Sequence, residues 1–237
     1  MLFRSVKQLA ANKMRLLATA FAVILGVAFL AGTLILTDTI KGTFDTLLAK
    51  ADKGTDAYVR AASPLELGYG QSGGPLDAPL LDAVRGVDGV DQASIEVSGY
   101  AQILDHAGKA VGAPQTGVLG MNWVTVPKLN PFTIDAGRAP VGPGEIAIDK
   151  HSAKLAKLGV GDHTTVLSAG KPRQATIVGI TRFGDVDTPG GLSVVLFDDV
   201  TAQAVLNRPG QIDAIAVTAE HGVTAEALVA QIGRAHV

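Results

Sequence analysis

Residues 68–73 have the glycine spacing of a dinucleotide-binding loop. They read Gly-Tyr-Gly-Gln-Ser-Gly. In such loops the glycines directly follow a strand and open a helix, whose N-terminus receives the pyrophosphate. Here Pro64 and Pro75 bracket the segment, and the next predicted helix begins further along the chain. We therefore interpret this segment as a flexible loop and predict no cofactor for this chain.

Ser168 and Lys171 have the Ser-x-x-Lys spacing of penicillin-recognising enzymes. That chemistry needs both side chains on one helical turn, so that the amine can reach the hydroxyl. Gly170 and Pro172 instead predict a hairpin turn, and the partner motifs SDN and KTG are absent from the sequence. The sequence also contains no cysteine, which excludes a thiol nucleophile. We predict no catalytic residue and no enzymatic activity.

The histidines and a group of aspartates are the candidates for metal binding. The histidines show no His-x-x-x-His pair, and the aspartates near Gly190 and Gly191 lack the ligand order of a calcium-binding EF-hand. We predict no metal site, and we expect loop and helix-capping roles for these side chains. The residues considered are His106, His151, His163 and His221, and Asp185, Asp187, Asp198 and Asp199.

Residues 16–37 form 22 consecutive positions without a charge. About 20 apolar residues in a helix cross the roughly 30 Å hydrocarbon core of a bilayer, so this run predicts one transmembrane helix. A cleaved signal peptide is the alternative, but its apolar region usually covers only about 7–15 residues. The sequence Ala-Lys-Ala at 49–51 has the shape of a cleavage site but lies well beyond the apolar run.

Four basic residues precede this run and predict its orientation. Arg4, Lys7, Lys13 and Arg15 are the only charged residues among the first 37, whereas the remainder of the chain is acidic overall. The positive-inside rule then places residues 1–15 in the cytoplasm and the chain from residue 38 onward outside. We expect residues 1–15 to form a basic amphipathic segment at the lipid surface, the alternative being a merely basic N-terminus.

Residues 38–54 predict a stalk that continues the membrane helix. Ile40, Phe44, Leu47 and Leu48 recur at intervals of three to four residues, as on one face of an amphipathic helix. Lys53 and Gly54 provide a plausible end. One helix through both segments would be roughly 55 Å long, which leaves a stalk of about 20 Å outside the bilayer.

Residues 55–231 predict one α+β domain with an antiparallel or mixed sheet and no internal repeat. Strands are predicted at 56–61, 93–104, 109–119, 145–148, 163–168, 173–181, 192–197 and 212–218. Helices are predicted at 76–84, at 150–158 with Gly159 as its end, at 198–206 with Asp198 as its N-cap, and from 224. Residues 127–143, which include four prolines, are predicted to be mainly loop.

Four segments in this order resemble the N-terminal part of ABC transporter permeases of the MacB/FtsX type. The first is ANKMRLLATAFAVILGVAFLAGTLILTDTIKGTFDTLL at 11–48, with basic residues, a span and a stalk. The next two are LLDAVRGVDGVDQAS at 80–94 and GRAPVGPGEIAIDKHSAKLAKLGVGDHTTV at 137–166, followed by QATIVGITR at 174–182. In the family the last three belong to a MacB-like periplasmic core domain.

The resemblance implies a function in transport. It implies a permease in the bacterial inner membrane that works as a homodimer, or paired with a second permease half, with a cytoplasmic ABC ATPase. Independently of the resemblance, hydrophobic residues make up 47% and charged residues 18% of the sequence, which excludes a basic protein that binds nucleic acid. Further spans are then expected after residue 237, and we expect residues 232–237, which match a reading frame of a sequencing adaptor, to be a non-native tail. The alternative is a single-pass anchored binding or sensor protein.

Overall fold

In the computed structural model the N-terminal part of the chain is a single helix. The structure describes residues 13–51, 54–61, 74–112 and 117–235. Helix α1 (Lys13–Ala51) has 39 residues and contains no proline, so nothing interrupts its hydrogen-bond ladder. The chain divides into two compact units, Met1–Leu48 and Ala49–Val237. As predicted, one helix contains both the apolar run and the following polar segment.

The second unit is a domain of mixed helices and strands, as the sequence predicts. Its strands are β1 (Ala57–Val59), β2 (Leu76–Asp77), β3 (Val90–Glu96), β4 (Ser98–Gly99), β5 (Ala101–Ile103), β6 (Val118–Asn122), β7 (Phe132–Gly137), β8 (Glu145–Asp149), β9 (His163–Ser168), β10 (Arg173–Phe183), β11 (Ser193–Phe197), β12 (Gln211–Ile212) and β13 (Ala214–Ala219). Its helices are α2 (Leu80–Arg85), α3 (Lys150–Ala156), α4 (Asp199–Val205) and α5 (Ala225–Ala235).

Most strands belong to one mixed sheet of eight. The strand order is β4-β6-β11-β8-β10-β9-β5, and β7 pairs with the end of β10 beyond β9. The pairs β8/β10 and β6/β11 are parallel and the others are antiparallel. All five residues of β11 are buried, because this central strand is covered on both faces. Its sequence is accordingly an apolar run without alternation.

A smaller antiparallel sheet contains the strand that follows the stalk. Its order is β1-β13-β3, and β12 pairs with β2 beside it. The chain leaves this sheet at Val97 and forms the eight-stranded sheet with α3 and α4. It then pairs with β2 as β12 and returns to the smaller sheet as β13. Val97, Ile212 and Ile215 are fully buried in one core that continues through both sheets.

Two predicted strands are each divided where the chain passes between the sheets. The predicted strand 93–104 is in fact β3 of the smaller sheet, followed by β4 and β5, which stand at the two ends of the strand order of the eight-stranded sheet. The break occurs at Val97, whose N–H donates to a side chain, Asn122 Oδ1, instead of a strand partner. The predicted strand 212–218 is likewise divided at Asp213, whose N–H donates to Glu96 O.

Three further predictions need correction. The predicted helix 76–84 starts as β2, because Leu76 and Asp77 pair with β12 before the helix begins. The turn at 105–108 is confirmed. In the described residues 109–112, however, the chain forms the bridge Leu104–Ala110 and a hydrogen bond from Val111 N to Ile103 O but no strand, and the next strand is β6 from Val118. Strand β7 lies in the stretch predicted as loop, because its pairing partner β10 is distant in sequence.

Other boundaries follow local signals closely. Strand β9 has the predicted limits, and Asp198 is the N-cap of α4, accepting from the N–H of Thr201. Helix α3 ends at Ala156 and not at the predicted Gly159, because its C-cap Lys157 takes the left-handed conformation at φ 54°. Helix α5 extends to Ala235 and buries Ile232. The non-native origin of residues 232–237 stays a prediction.

Candidate functional site

The apolar part of α1 is the first functional feature. Within the described residues, Leu17–Ile35 is the segment that is long and apolar enough to cross a membrane, with a mean hydropathy of 2.3. Its large side chains face outward, as illustrated by Phe29, which is 79% exposed. The hydroxyls of Thr33 and Thr37 donate to the carbonyls of Phe29 and Thr33 at 2.9 Å, which satisfies them inside the helix. This surface is suited to lipid.

The residues predicted to set topology and to form the stalk fall at both ends of this segment. Lys13 and Arg15 lie in the first turn of α1, and Arg4 and Lys7 lie outside the described residues. The stalk residues Ile40, Phe44, Leu47 and Leu48 lie on the helical backbone beyond the apolar segment. Their roles, and the boundaries at 15, 37 and 54, stay predictions.

Asn122 is a buried polar centre where the two sheets meet. Its side chain is at the end of β6 and the residue is 3% exposed. Its Oδ1 accepts from Val97 N at 2.8 Å, and its Nδ2 donates to Ile95 O at 2.9 Å and to Asp199 Oδ1 at 2.8 Å. Burial raises the pKa of Asp199, and the hydrogen bond from Asn122 opposes that shift. The amide thus joins β6, the end of β3 and the start of α4.

Asp213 forms a second polar link at the same place. Its Oδ2 accepts from both the N–H of Ser98 at 2.6 Å and the hydroxyl of Ser98 at 2.9 Å. Its Oδ1 accepts from Arg208 at 2.5 Å. Both chain crossings between the sheets, at 96–98 and at 207–213, are therefore fixed by charged or amide groups.

Asp149 is the most deeply buried acid among the described residues of the domain. It is the N-cap of α3 and is fully buried. It accepts from Ser152 N at 2.9 Å, from Ser152 Oγ at 2.5 Å and from Val194 N at 2.7 Å. Burial raises the pKa of Asp149, and these hydrogen bonds act in the opposite direction. The carboxylate connects β8, α3 and β11 and has no room for a substrate.

An ion-pair network lies on the surface of the eight-stranded sheet. It contains three cations and two anions: Lys150, Lys154, Arg182, Asp135 and Asp187. The shorter contacts are Lys154 Nζ to Asp187 Oδ2 at 2.6 Å and Lys150 Nζ to Asp135 Oδ2 at 2.8 Å. The hydrogen bond from Lys154 lowers the pKa of Asp187. These ion pairs connect β7, β10 and α3 and so help to hold the three elements together.

Arg138 and Glu145 form a bidentate ion pair between β7 and β8. The two Arg138–Glu145 contacts are 2.5 and 2.7 Å long, and the N–H of Val141 donates to Glu145 Oε2 at 3.0 Å. The hydrogen bond from Arg138 is the main cause that lowers the pKa of Glu145 to about 2. The carboxylate is therefore fully ionised near neutral pH and is not suited to general acid–base chemistry.

The chemical motifs of the sequence do not assemble into a site. Ser168 ends β9 and Lys171 lies in the turn to β10, as predicted. The loop at 68–73 lies outside the described residues. In the described ranges, no three His, Asp or Glu side chains are grouped as metal ligands would be. The aspartates have separate roles. Asp187 forms ion pairs, Asp198 caps the start of α4, and Asp199 accepts a hydrogen bond from Asn122.

A cavity of about 320 Å³ opens between α4 and the strands β8, β9 and β10. Ile146, Val166 and Phe197 form its apolar wall and are almost completely buried. Its polar rim residues Glu145 and Gln174 are already paired with other side chains. Arg173 and Thr201 are the other polar residues that line the cavity.

Comparison with known proteins identifies the family. The model of the MacB-like periplasmic core domain matches residues 16–235, which is most of the chain. The chain belongs to this family. The resemblance to permeases of the MacB/FtsX type is therefore confirmed, and the protein is a component of an ABC-type transporter permease. No curated protein gives a significant match.

Two solved structures show the fold of the MacB-like periplasmic core domain. One is the periplasmic region of MacB from Actinobacillus actinomycetemcomitans, with a TM-score of 0.54, 10% identity, and coverage of 77% of this chain and 84% of that chain. The other is the extracellular domain of the noncanonic ABC-type transporter YknZ from Gram-positive bacteria. It gives a TM-score of 0.50, 15% identity, and coverage of 68% and 81%. The apolar helix and this fold fit a membrane protein with an extracytoplasmic domain.

Sequence reasoning missed Asn122 and Asp149. Asp149 could have been found, because it stands between a predicted strand and a predicted helix, as Asp198 does. Asn122 gave no such signal. Its three partners are Ile95, Val97 and Asp199, which are 25 to 77 positions away in sequence.

Proposed function

We propose that this chain is the N-terminal part of a permease subunit that couples ATP hydrolysis in the cytoplasm to a conformational change outside the membrane. The partner is a cytoplasmic ABC ATPase, and the permease subunit works as a homodimer or is paired with a second permease half. The proposed N-terminus is cytoplasmic, and the α/β domain is extracytoplasmic. The transport belongs to an efflux or lipoprotein and peptide export type.

The family match carries this proposal, because it begins inside the apolar segment and ends in α5. The membrane helix and the α/β domain are therefore parts of one family unit and not a domain attached to an unrelated anchor. The helix α1 supports the same view, since it continues without interruption from Lys13 to Ala51. A continuous helix can transmit a displacement along its axis, whereas a flexible linker cannot.

The proposed orientation can be tested with single cysteines, since the sequence contains none. We expect Lys171→Cys, in the exposed β9–β10 turn, to react with a membrane-impermeant maleimide on intact cells. Ser5→Cys should react only after the cells are permeabilised. Labelling of Ser5→Cys on intact cells, or mature protein that lacks its first forty or so residues, would contradict the orientation and the retained anchor.

Coupling can be tested in the full-length transporter with the stalk variant Phe44→Pro. Proline removes a backbone donor and clashes with the preceding turn, so it should interrupt α1 outside the membrane. We expect normal membrane insertion and ATP hydrolysis but loss of export. The matched control Phe44→Ala removes the same ring and keeps the helix. Normal export by Phe44→Pro would refute a relay through the stalk.

The alternative of a single-pass anchored binding or sensor protein makes a different prediction. In that case no ABC ATPase should copurify with the protein, and genomic DNA beyond codon 231 should soon reach a stop codon. Further apolar runs in that DNA and a neighbouring ATPase gene would support the permease.

A further inference from the structure

Residues 123–131 form a segment, here called the strap, that leaves the eight-stranded sheet and packs on the smaller sheet. It starts where Trp123 N donates to Phe197 O at 2.6 Å. Val124 and Leu129 of the strap are buried against Ala216 of β13, and Tyr58 of β1 packs on the same cluster. This cluster is separate from the main core. The strap therefore contacts β1, the first strand after the stalk, and β13, which pairs with β1.

The strap also touches the point at which the chain enters the domain after α1. A Cβ atom added to Gly54 would lie 2.3 Å from Lys128 O, so the strap backbone lies directly against this glycine. Gly54 has a φ of 89°. Lys128 extends the contact with an ion pair of 3.1 Å to Asp91 of β3. Gly54 is only three positions beyond the end of α1.

The strap has its own internal order and an anchored start. Asn130 Nδ2 donates to Val124 O at 2.7 Å, and Asn130 Oδ1 accepts from Phe132 N at 2.8 Å. Immediately before the strap, Asn122 connects β6 to the end of β3 and to Asp199. Because a buried amide with all these partners is costly to displace, the strap starts from a fixed point.

We propose that Asn122 and the strap form the joint through which displacement of β1, the strand after the stalk, reaches the eight-stranded sheet. This inference rests on the proposed function, since it names the residues that would carry the motion. Asn122 is a positioning residue: it contacts neither cargo nor ATP, and it keeps the two sheets in one relative orientation. Loss of the joint should widen the range of relative orientations of the two sheets, while the core that they share keeps both folded and in contact.

The full chain can be tested for this joint by pulsed electron paramagnetic resonance. Spin labels at Val229→Cys on α5 and Val141→Cys after β7 report the distance between the sheets, and both sites are exposed. We expect one narrow distance peak for the otherwise unchanged chain. In Asn122→Asp two carboxylates face each other at the Asp199 contact, so we expect loss of the narrow peak at pH 7.5. It should return in Asn122→Asp with Asp199→Asn.

A lower pH should also restore the peak of Asn122→Asp, because protonation of one carboxyl group removes the repulsion. The other charged groups that act on Asp199 are Asp198, which is adjacent, and Arg85 at the end of α2. Both are present in every variant, so they do not explain a difference between them. Circular dichroism establishes whether the Asn122→Asp protein is folded. A narrow distance peak at pH 7.5 in the folded variant would overturn the joint.

A second variant keeps the test decisive if Asn122→Asp does not fold. Gly54→Ala must displace the strap, because its Cβ would overlap Lys128 O. The matched control is Gly222→Ala, which has a similar φ of 90° but no atom within 4 Å of its Cβ. We expect loss of the narrow peak in Gly54→Ala only. Equal narrow peaks in both variants would overturn the proposal.

The distance experiment needs no ATPase, so it separates this proposal from the proposed function. A broken joint in Asn122→Asp, together with normal export by Phe44→Pro, would refute the relay and leave the joint standing. An intact joint in Asn122→Asp, together with loss of export in Phe44→Pro, would refute the joint and leave the relay standing.

Discussion

Replacement of Asp149 by alanine should destabilise the α/β domain much more than the same change at Asp198. Both aspartates are N-caps, of α3 and α4, and both follow a strand directly. Asp198 accepts one backbone hydrogen bond, from Thr201 at 3.1 Å. Asp149 accepts two backbone hydrogen bonds, from Ser152 N and Val194 N, and a third from the hydroxyl of Ser152, and Val194 lies in the buried strand β11. The two positions therefore differ in burial and in the number of hydrogen-bond donors that the alanine substitution would leave without an acceptor.

The magnitude follows from those partners. Loss of an N-cap costs about 1 kcal/mol, and a buried donor without an acceptor costs about 1–3 kcal/mol. The alanine variant is spared the burial of a carboxylate, which offsets part of this cost. We therefore expect a loss of about 2–4 kcal/mol in the free energy of unfolding for Asp149→Ala and of about 1 kcal/mol for Asp198→Ala.

Urea unfolding of the full chain in mild detergent measures this difference. Trp123 is the single tryptophan of the sequence and lies in the α/β domain, so its fluorescence reports on the domain and not on α1. The change in the urea midpoint at constant slope gives the loss of stability. Equal losses in the two variants would refute the reasoning, since it attributes the difference to the donors around Asp149.

Three further predictions concern other parts of the chain. The carboxyl of Glu145 should titrate near pH 2 by NMR and return toward its ordinary pKa of about 4.3 in Arg138→Gln, because the guanidinium is the main cause of the shift. Gly179→Ala should lower the urea midpoint, since its Cβ would lie 2.2 Å from Arg138 O, whereas Gly233→Ala, with open space at its Cβ, should not. Val27→Arg should reduce the carbonate-resistant membrane fraction relative to Val27→Leu, because a central arginine costs about 2.5–3.5 kcal/mol on insertion scales.

The parts of the fold that the sequence predicts well depend on neighbours along the chain. The uncharged run before Asp38, the limits of β9 and the N-cap at Asp198 each follow from a window of a few residues. Hydrophobic period, turn residues and capping preference act over such windows. The same reasoning applied to Asp149 would have found the cap of α3, although not its bond to Val194.

The parts that the sequence does not predict depend on pairing between distant segments. Strand β7 pairs with β10, which lies more than forty positions further along the chain. The prolines around β7 indicate a loop, so the local sequence does not predict this strand. The break at Val97 is equally invisible, because it depends on the amide of Asn122. The composition of residues 93–104 by itself indicates one long strand. The joint between the sheets is therefore a tertiary feature with no local signature.

The buried carboxyl of Asp149 also predicts a pH dependence with a definite sign. Burial raises its pKa in the folded protein above the unfolded value of about 3.9. Its contribution to stability is then fully present below the unfolded pKa and is lost as the pH rises through the folded pKa. Asp149→Asn cannot ionise, so its stability relative to the unchanged chain should increase across that interval. The free energy of unfolding of the unchanged chain and of Asp149→Asn should be measured from pH 3.5 to 8. Parallel profiles would show that the carboxyl of Asp149 titrates alike in the folded and the unfolded state, which would contradict the role of burial.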